Sequence, residues 1–205
     1  MWQWVGVLVV GYVLGSIPTG FLAVRWLRGA DVREIGSGRT GGTNVLRAAG
    51  WKVALVVVLL DVLKAALAVV VAGWLDGPAI VLALAGVTAV AGHNYSLFLR
   101  FRGGAGTMAA IGGATALWPW SVAILVPAGL GTVLGTRYAS MGSIVVALLL
   151  PLIFATRAAL GLGPWAYLVY GLPVSALILW SLRPNVRRLL RGEERRVNLG
   201  AGRGQ

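Results

Sequence analysis

The chain has 205 residues, of which 58% are hydrophobic and 12% are charged, whereas a soluble domain averages about 25% charged residues. With a mean hydropathy of +0.83, this composition indicates an integral membrane protein and excludes a soluble one. The net charge is +12, which in a membrane protein reflects the positive-inside rule and anionic headgroups, so we expect no nucleic acid partner. The sequence has no cysteine and one histidine, which excludes disulfides and Cys- or His-rich sites, so we expect no metal.

The first apolar segment, at about 2–24, is long enough for a membrane helix, which takes roughly 20 residues. It has no basic region and no small-residue cleavage site, so we expect a mature helix and not a signal peptide. A polar kink at 15–20, Gly-Ser-Ile-Pro-Thr-Gly, interrupts it. Such a kink is typical either of a functional site or of a groove of small residues for helix packing, and the sequence leaves both open.

A basic, polar segment at 25–52 follows, and its residues 36–47 read Gly-Ser-Gly-Arg-Thr-Gly-Gly-Thr-Asn-Val-Leu-Arg. Glycines let backbone N–H groups approach an anion, and Arg39 and Arg47 suit phosphate, so the stretch favours phosphate recognition without a metal. It resembles a nucleotide-binding P-loop, but Gly42 stands where that motif needs Lys, and we expect neither a strand before it nor a helix after it. The alternative is a flexible glycine-rich linker.

The second apolar segment, at 53–74, contains Asp61 and Lys64. These two ionisable residues are three positions apart and share a helix face. Charges at membrane depth are costly and usually pair or face a cavity. The pair is therefore expected either to neutralise itself and join two helices or to border a site.

Five more apolar segments complete the predicted fold, an all-α integral membrane protein with about seven transmembrane helices and polar, glycine-rich loops. Trp118-Pro119-Trp120 is typical of an interfacial turn before the fifth helix. We expect a single transmembrane domain over 1–194; the basic tail begins at 183 and is expected to be frayed over 195–205. The third helix is placed at 79–92, and the fourth at about 107–117. The fifth follows the turn at 118–120 and ends at about 135. The sixth is placed at about 143–156 and the seventh at 165–182.

Lysines and arginines are divided unequally between the two sides of this topology. The polar segment at 25–52 carries six of them, the loop at 92–107 two, the loop at 136–143 one and the tail seven. These make 16 of the 18 in all, and they lie on one side. The positive-inside rule assigns that side to the cytoplasm, with the N-terminus outside and the C-terminus inside. Three polar loops, at 36–47, 92–107 and 136–143, and the tail residue Asn185 emerge on this side. The topology thus predicts one basic, donor-rich pocket that opens to the cytoplasm.

Four groups of polar motifs follow one another along the chain. They are Gly36-Ser37-Gly38 with Gly41, Thr43-Asn44 and Arg47; Asp61-Val62-Leu63-Lys64; Gly92-His93 with Phe101-Arg102-Gly103-Gly104; and Ser140-Met141-Gly142-Ser143. In this order they resemble the PlsY family, the acyl-phosphate:glycerol-3-phosphate acyltransferases of bacterial membranes. The resemblance covers about 15–194 and depends on the set of motifs and not on any single one.

The resemblance implies transfer of a fatty acyl group from acyl phosphate to the first hydroxyl of glycerol 3-phosphate, which yields lysophosphatidic acid and phosphate for phospholipid synthesis. The partners would be acyl phosphate, glycerol 3-phosphate and membrane lipids, at the bacterial plasma membrane. Because the donor is already activated, we expect no cofactor, and the protein's task is positioning and charge stabilisation. The sequence offers no Ser-His-Asp or Cys-His set, which favours direct transfer over a covalent acyl-enzyme.

The resemblance also implies roles for the residues of the first polar stretch and the tail. Ser37 and Arg47 would hold glycerol 3-phosphate together with Asn185, and Thr43 and Asn44 would shape the same loop. The other substrate-binding residues that the motifs imply are Gly36, Gly38, Arg39, Arg102, Gly103 and Gly104.

Ser37, Arg47 and His93 are the catalytic residues that the resemblance implies. For His93 the roles are a hydrogen bond to a substrate oxygen or to the loop, or a general base, and the alternative is a structural hydrogen bond at a helix end. Ser140 and Ser143 would contact the phosphate region, with helix capping as the alternative.

The chain departs from the family pattern at several of these places. Arg39 replaces Asn, Ala105 replaces Lys, Leu182 replaces His and Pro184 replaces Glu. Arg39 offers a way to restore the charge lost at Ala105, although Arg does not reproduce the geometry of Lys. The alternatives are a catalytically impaired or acceptor-shifted paralogue that binds phosphorylated lipid precursors, and a small-anion transporter. A transporter would show paired interrupted helices in two halves, a pattern that this sequence lacks.

Overall fold

The computed structural model describes residues 2–197, and these residues form nine α-helices and three short 3-10 turns, with no β-strand among them. The described part of the chain is therefore all-helical, as the sequence predicts. The helices are α1 (Trp2–Ser16), α2 (Thr19–Arg28), α3 (Gly42–Ala49), α4 (Trp51–Trp74), α5 (Ala79–Asn94), α6 (Thr107–Leu117), α7 (Ser121–Thr136), α8 (Ala139–Ala159) and α9 (Leu168–Leu190).

The apolar helices divide into long and short ones. Helices α6 and α7 have 11 and 16 residues, fewer than the roughly 20 that a full span takes. The predicted seven transmembrane helices thus correspond to five long segments and these two shorter helices. The five segments that are long and apolar enough to cross a membrane are Trp2–Arg28, Trp51–Trp74, Ala79–Leu99, Ala139–Ala159 and Trp165–Leu190.

The first span breaks at Pro18, which separates α1 from α2. Proline has no N–H and cannot continue the helical hydrogen-bond pattern. Next to the break, Gly15 lets α1 approach α5 so closely that a Cβ at this position would overlap the Ala89 carbonyl. The Ile17 carbonyl and the Thr19 hydroxyl, on either side of Pro18, make hydrogen bonds to residues of α4. The polar kink therefore both packs helices together and supplies polar groups to the interior.

Small residues bring the helices into close contact. Helix α1 packs on α5, α4 packs on α6, and α9 packs on α8 and α5. At Gly112 of α6 a Cβ would overlap the Val62 carbonyl of α4. Tyr170 of α9 is fully buried in the centre, and its hydroxyl donates to the Ala110 carbonyl at 2.5 Å. Because lipid is as apolar as the helix surfaces, close packing and interhelical hydrogen bonds of this kind hold a membrane bundle together.

The first polar stretch contains a helix that the sequence analysis did not predict. The Gly41 carbonyl accepts from the N–H groups of Asn44 and Val45 at 2.9 and 3.1 Å, and α3 begins there. The expectation that no helix follows the glycine-rich turn is therefore wrong. The Lys of a P-loop is still replaced by Gly42, and no strand precedes the turn within residues 2–197, so the argument against a nucleotide-binding P-loop holds.

Helix α9 extends to Leu190, well past the predicted end at 182. Pro184 lies inside it and cannot donate to the Trp180 carbonyl, but the Arg183 guanidinium donates to that carbonyl through Nε at 2.9 Å. This replacement bond lets the helix continue through Pro184. Asn185, which the sequence placed in the tail, is consequently a buried residue of α9.

The residues after α9 turn back towards the bundle. Val197 is buried, and its N–H donates to the Arg137 carbonyl at 2.7 Å, which ties the chain to the loop between α7 and α8. Of the predicted tail at 195–205, residues 198–205 lie outside the described residues.

We predict that Gly15→Val destabilises the protein, because the added side chain overlaps the α5 backbone at Ala89. Overpacking typically costs about 1–3 kcal/mol, and each kcal/mol lowers Tm by about 2–4 °C in a chain of this size. Thermal melting in detergent measures the effect. The matched control is Gly6→Val on the same helix, where a Cβ meets nothing within 4 Å; equal melting temperatures for the two variants would contradict the packing of α1 on α5.

Candidate active site

A buried ion cluster centred on Asp61 lies in the interior of the bundle. The side chains of Asp61 and Lys64 are 1% and 7% exposed, and Lys64 Nζ lies 2.8 Å from Asp61 Oδ1. Thr19 Oγ1 donates to the same Oδ1 at 2.6 Å, and Lys64 Nζ also donates to the Ile17 carbonyl at 2.8 Å. The pair thus joins the break between α1 and α2 to α4. Asp61 also lines a cavity, together with residues of the first polar stretch, so both roles left open by the sequence apply.

His93 lies at the end of α5 beside this cluster, with Nδ1 3.4 Å from Asp61 Oδ1. The backbone of Gly103 donates to the Asn94 carbonyl, and that of Gly104 donates to the His93 carbonyl, each at 3.0 Å. A Cβ at Gly104 would overlap His93 Nε2. Gly104 therefore packs against the His93 ring, whereas Gly103 packs against the backbone of His93 and Asn94. Both glycines are absent from the lining of the cavity, and their contact with substrate stays a prediction.

Asn44 organises the glycine-rich loop that precedes α3. Its Nδ2 donates to the carbonyls of Val32, Ile35 and Arg39 at 2.7–2.8 Å, and its Oδ1 accepts from the Ser37 N–H at 3.1 Å. One buried amide thereby holds both sides of the turn. Because these contacts use the hydrogen-bonding groups of its side chain, Asn44 shapes the loop, as the resemblance implies, and its contact with substrate stays a prediction.

A cavity of about 230 Å³ opens where these elements meet at one end of the bundle. Four arginines and two carboxylates line it, and one of the carboxylates, Asp61, already pairs with Lys64. The cavity is therefore strongly basic, which suits an anionic ligand. Its polar and charged lining residues are Ser37, Arg39, Thr43, Asn44, Arg47, Asp61, His93, Thr107, Ser140, Ser143, Asn185, Arg188, Glu194 and Arg195.

Three hydrogen-bond donors in this cavity are uncommitted. The Ser37 and Thr43 hydroxyls and the Arg47 guanidinium make no hydrogen bond or ion pair within residues 2–197. Ser37 sits on the glycine-rich turn, Thr43 on the first turn of α3 and Arg47 on its last turn. Such a set of free donors is what a phosphate group requires.

The arginines of the cavity repel one another. Burial lowers the pKa of Arg39 below its ordinary value, and the nearby Arg188 lowers it further, whereas Glu194 acts in the opposite direction. Burial and Arg195 lower the pKa of Arg47 in the same way, again opposed by Glu194. Both guanidinium groups remain charged at neutral pH because their ordinary pKa lies far above it. A bound anion would therefore reduce the repulsion between the positive charges of the cavity.

The far wall of the cavity is formed by α8, α9 and the residues after α9. Ser140 Oγ and Asn185 Nδ2 donate to Glu194 Oε1 at 3.2 and 2.7 Å, and Arg188 Nε donates to Glu194 Oε2 at 2.8 Å. Ser143 Oγ donates to the Ala139 carbonyl of its own helix at 3.1 Å. Neither serine side chain caps the N-terminus of α8.

The structure places most of the predicted site residues around this single cavity. The exceptions, besides Gly103 and Gly104, are Gly38 and Arg102, which line a second cavity of about 700 Å³ beside the first loop. Gly38 has a φ of +72°, so it forms the turn and does not face the main cavity. The predicted residues that do line the main cavity are Ser37, His93, Arg47, Gly36, Arg39, Thr43, Asn44, Ser140, Ser143 and Asn185.

Sequence reasoning missed four polar residues of the cavity: Thr107, Arg188, Glu194 and Arg195. Thr107 follows a motif that the sequence analysis had singled out, and its position at the start of α6 was a usable signal. The other three lie in a basic segment that was predicted to be a tail. Nothing in their spacing indicates that this segment turns back over the cavity.

Comparison with known proteins identifies the family. The family model described as Glycerol-3-phosphate acyltransferase matches residues 5–192. The chain belongs to the glycerol-3-phosphate acyltransferase family. Glycerol-3-phosphate acyltransferase 2 of Moorella thermoacetica is 40% identical over 197 residues, which cover 95% of this chain and 98% of the relative. The glycerol-3-phosphate acyltransferase of a Synechococcus species is 42% identical over 193 residues, 93% of each chain.

Solved structures of the family have the same fold. The crystal structure of PlsY (YgiH), an integral membrane glycerol 3-phosphate acyltransferase, in its glycerol 3-phosphate form matches with a TM-score of 0.86 and 34% identity over 96% of both chains. Its lysophosphatidic acid form matches with a TM-score of 0.84 and 34% identity over 95% of both chains. The resemblance seen in the sequence is therefore confirmed, and this family member is an integral membrane protein.

We predict that Gly104→Ala displaces the His93 ring, because the added methyl group overlaps Nε2. His93 is the only histidine in the sequence, so histidine-labelled protein gives a single imidazole signal by NMR, which we expect to shift in this variant. The control is Gly135→Ala, where a Cβ meets nothing within 4 Å. An imidazole signal that stays unchanged in Gly104→Ala would contradict the placement of the ring against this glycine.

Proposed function

We propose that this member of the family transfers a fatty acyl group from acyl phosphate to glycerol 3-phosphate. The first hydroxyl of the polyol forms an ester bond to the acyl carbon, and the bond between that carbon and the phosphate oxygen breaks. The products are 1-acylglycerol 3-phosphate (lysophosphatidic acid) and inorganic phosphate, which carries away the electron pair and takes up the hydroxyl proton. The reaction belongs to phospholipid synthesis.

The observation that carries this proposal is the basic cavity with uncommitted donors at the end of a membrane bundle. Both substrates carry a phosphate group, and one also carries an acyl chain that lies in the bilayer. Ser37 and Arg47 supply donors for the phosphate of glycerol 3-phosphate, and Asn185 faces them from α9. The glycerol 3-phosphate and lysophosphatidic acid forms of the similar solved structures support the choice of acceptor and product.

His93 and Asp61 lie close enough to pair. The sequence analysis, which found no Ser-His-Asp or Cys-His set, did not predict this pair. Within residues 2–197, no serine hydroxyl donates to His93, so the arrangement lacks the nucleophile of a Ser-His-Asp triad. We therefore propose direct transfer, without a covalent acyl-enzyme. His93, oriented by Asp61 and Gly104, hydrogen-bonds a substrate oxygen, and the arginines stabilise the charge that develops on the leaving phosphate.

We propose seven membrane crossings, with the short helices α6 and α7 as two of them. The cavity then opens to the cytoplasm, because the basic loops and Asn185 share its end of the bundle. This orientation puts the N-terminus outside and the C-terminus inside the bacterial plasma membrane. It also gives the cavity access to soluble glycerol 3-phosphate and to acyl phosphate, the acyl chain of which lies among the membrane lipids.

We predict that purified protein releases phosphate from acyl phosphate only when glycerol 3-phosphate is present. Arg47→Ala should lower kcat/KM about 10- to 100-fold, since a charged hydrogen bond contributes about 1.5–3 kcal/mol, and Ser37→Ala should lower it about 3- to 10-fold. Arg28→Ala is the control, because it removes an equal charge from an exposed position outside the cavity. No release with any acceptor would indicate the impaired paralogue, and uptake of substrate into sealed vesicles would indicate a transporter.

We infer that Arg39 provides the cationic charge that Lys would provide at the position of Ala105. Both residues line the same cavity. The Arg39 guanidinium reaches across it, with Nη2 donating to the Ser181 carbonyl of α9. Arg39 makes no other side-chain hydrogen bond within the described residues, so its remaining N–H groups are free for phosphate.

This inference predicts that Arg39→Asn lowers kcat/KM for glycerol 3-phosphate about tenfold or more, through the loss of a charged hydrogen bond. Adding Ala105→Lys to that variant should recover at least part of the loss. Steady-state kinetics of the wild type and of the single and double variants measure both effects. If the double variant turned over faster than the wild type, the present residues would be a degraded site and the inference would be wrong.

A further inference from the structure

The residues that follow α9 lie across the mouth of the cavity. This segment, 191–197, is anchored at its far end by Val197, which is buried and bonded to the Arg137 carbonyl. At its start the Glu193 N–H donates to the Arg188 carbonyl at 2.8 Å. Between these anchors the Glu194 side chain points inward and is 8% exposed. A carboxylate is thereby inserted into a cavity that is otherwise suited to anions.

Three donors from two helices converge on this carboxylate. Ser140 Oγ and Asn185 Nδ2 both donate to Oε1, and Arg188 Nε donates to Oε2, at distances of 2.7–3.2 Å. A planar carboxylate with this set of donors resembles the way in which a phosphate oxygen pair is held. The Asn185 Oδ1 atom is buried and has no hydrogen-bond partner in the described structure, so the site also retains an acceptor for a ligand hydroxyl.

The surrounding charge favours an anion at this position. Two carboxylates line the cavity within the described residues. Asp61 pairs with Lys64, whereas Glu194 has no lysine partner among residues 2–197. The negative charge of Glu194 raises the pKa of Arg39 and Arg47 and thereby opposes burial, which lowers both. The carboxylate therefore occupies the position that a bound anion would take and has the same electrostatic effect.

We propose that Glu194 is an internal competitor for the phosphate group of the substrate. Its carboxylate occupies the donors of Ser140, Asn185 and Arg188 in the ligand-free protein, and segment 191–197 moves away when a phosphorylated ligand takes its place. The proposal rests on the proposed function for the identity of the ligand, but competition for the donors can be measured without acyl transfer. Glu194 then sets the affinity of the enzyme for phosphorylated substrate.

The competition has a predictable size. If the segment occupies the cavity nine-tenths of the time, only about a tenth of the protein is competent to bind, and the apparent Kd is raised about tenfold. Removal of the carboxylate should therefore tighten binding by up to that factor. A purely structural role for Glu194, as a group that holds Asn185 and Arg188 in position, predicts the opposite sign, because the donors would lose their orientation.

The first experiment measures binding of inorganic phosphate and of glycerol 3-phosphate to the full-length protein in detergent, by ligand-dependent thermal stabilisation. In Glu194→Ala the apparent Kd for both ligands should fall about 3- to 10-fold, and Glu194→Gln, which keeps the shape and lacks the charge, should show a smaller fall. Glu193→Gln is the control, since it removes the same charge from the neighbouring exposed residue. Unchanged or weaker binding in both Glu194 variants overturns the proposal.

The second experiment follows the segment itself. Because the chain has no cysteine, spin labels can be attached specifically in a Glu193→Cys, Lys52→Cys double variant, at two exposed positions. Glycerol 3-phosphate or inorganic phosphate should lengthen the label-to-label distance, and a distance that saturating ligand does not change overturns the proposal. Tighter phosphate binding by the Glu194 variants of a protein without acyl-transfer activity would support the competition while refuting the proposed function.

Discussion

The buried carboxylate of Asp61 is the constraint on which the arrangement of the interior depends. An ionised group inside a membrane bundle must find partners, because lipid offers none. Asp61 finds them on three separate elements: the Thr19 hydroxyl after the break in the first span, Lys64 on its own helix, and His93 at the end of α5. Removing one partner of such a pair costs about 3–5 kcal/mol in proteins, since a charge is left uncompensated. The same interaction therefore fixes both the helix packing and the position of the imidazole beside the cavity.

The remaining walls of the cavity are built from non-helical backbone held by side chains. Asn44 holds the glycine-rich turn in place, and the backbone of Gly103 and Gly104 closes on the end of α5. Irregular backbone is tolerated at membrane depth only where the protein satisfies its polar groups. Here the small residues Gly15 and Gly112 permit the close helix contacts that bring these polar ends together. Packing in the apolar part of the bundle thus positions donors that lie outside it.

Much of the fold follows from the sequence, because apolar segments of membrane length are unmistakable. The distribution of lysines and arginines also predicted that three polar stretches meet at one end of the bundle, and residues of all three line the same cavity. Details that depend on side-chain contacts did not follow from the sequence: the last helix was expected to end at 182, but the Arg183 side chain replaces the hydrogen bond that Pro184 cannot make, and the helix continues to Leu190. Arg102 carries the right chemistry for phosphate, yet its backbone turn directs it to the neighbouring cavity. Glu194 could not be found, since the two adjacent acidic residues Glu193 and Glu194 in a basic tail give no signal of which carboxylate turns inward.

The order of the Asp61 cluster along the chain has a consequence for biosynthesis. Thr19, Ile17 and Lys64 all precede residue 65, so the carboxylate and the ammonium group meet within the first two spans to leave the ribosome. Each charge alone would oppose insertion by about 2.5–3.5 kcal/mol at a helix centre. Paired within these two spans, the two charges would oppose insertion less than each alone, before α5 has been translated. His93, at the end of α5, is the last residue in contact with Asp61 to be translated.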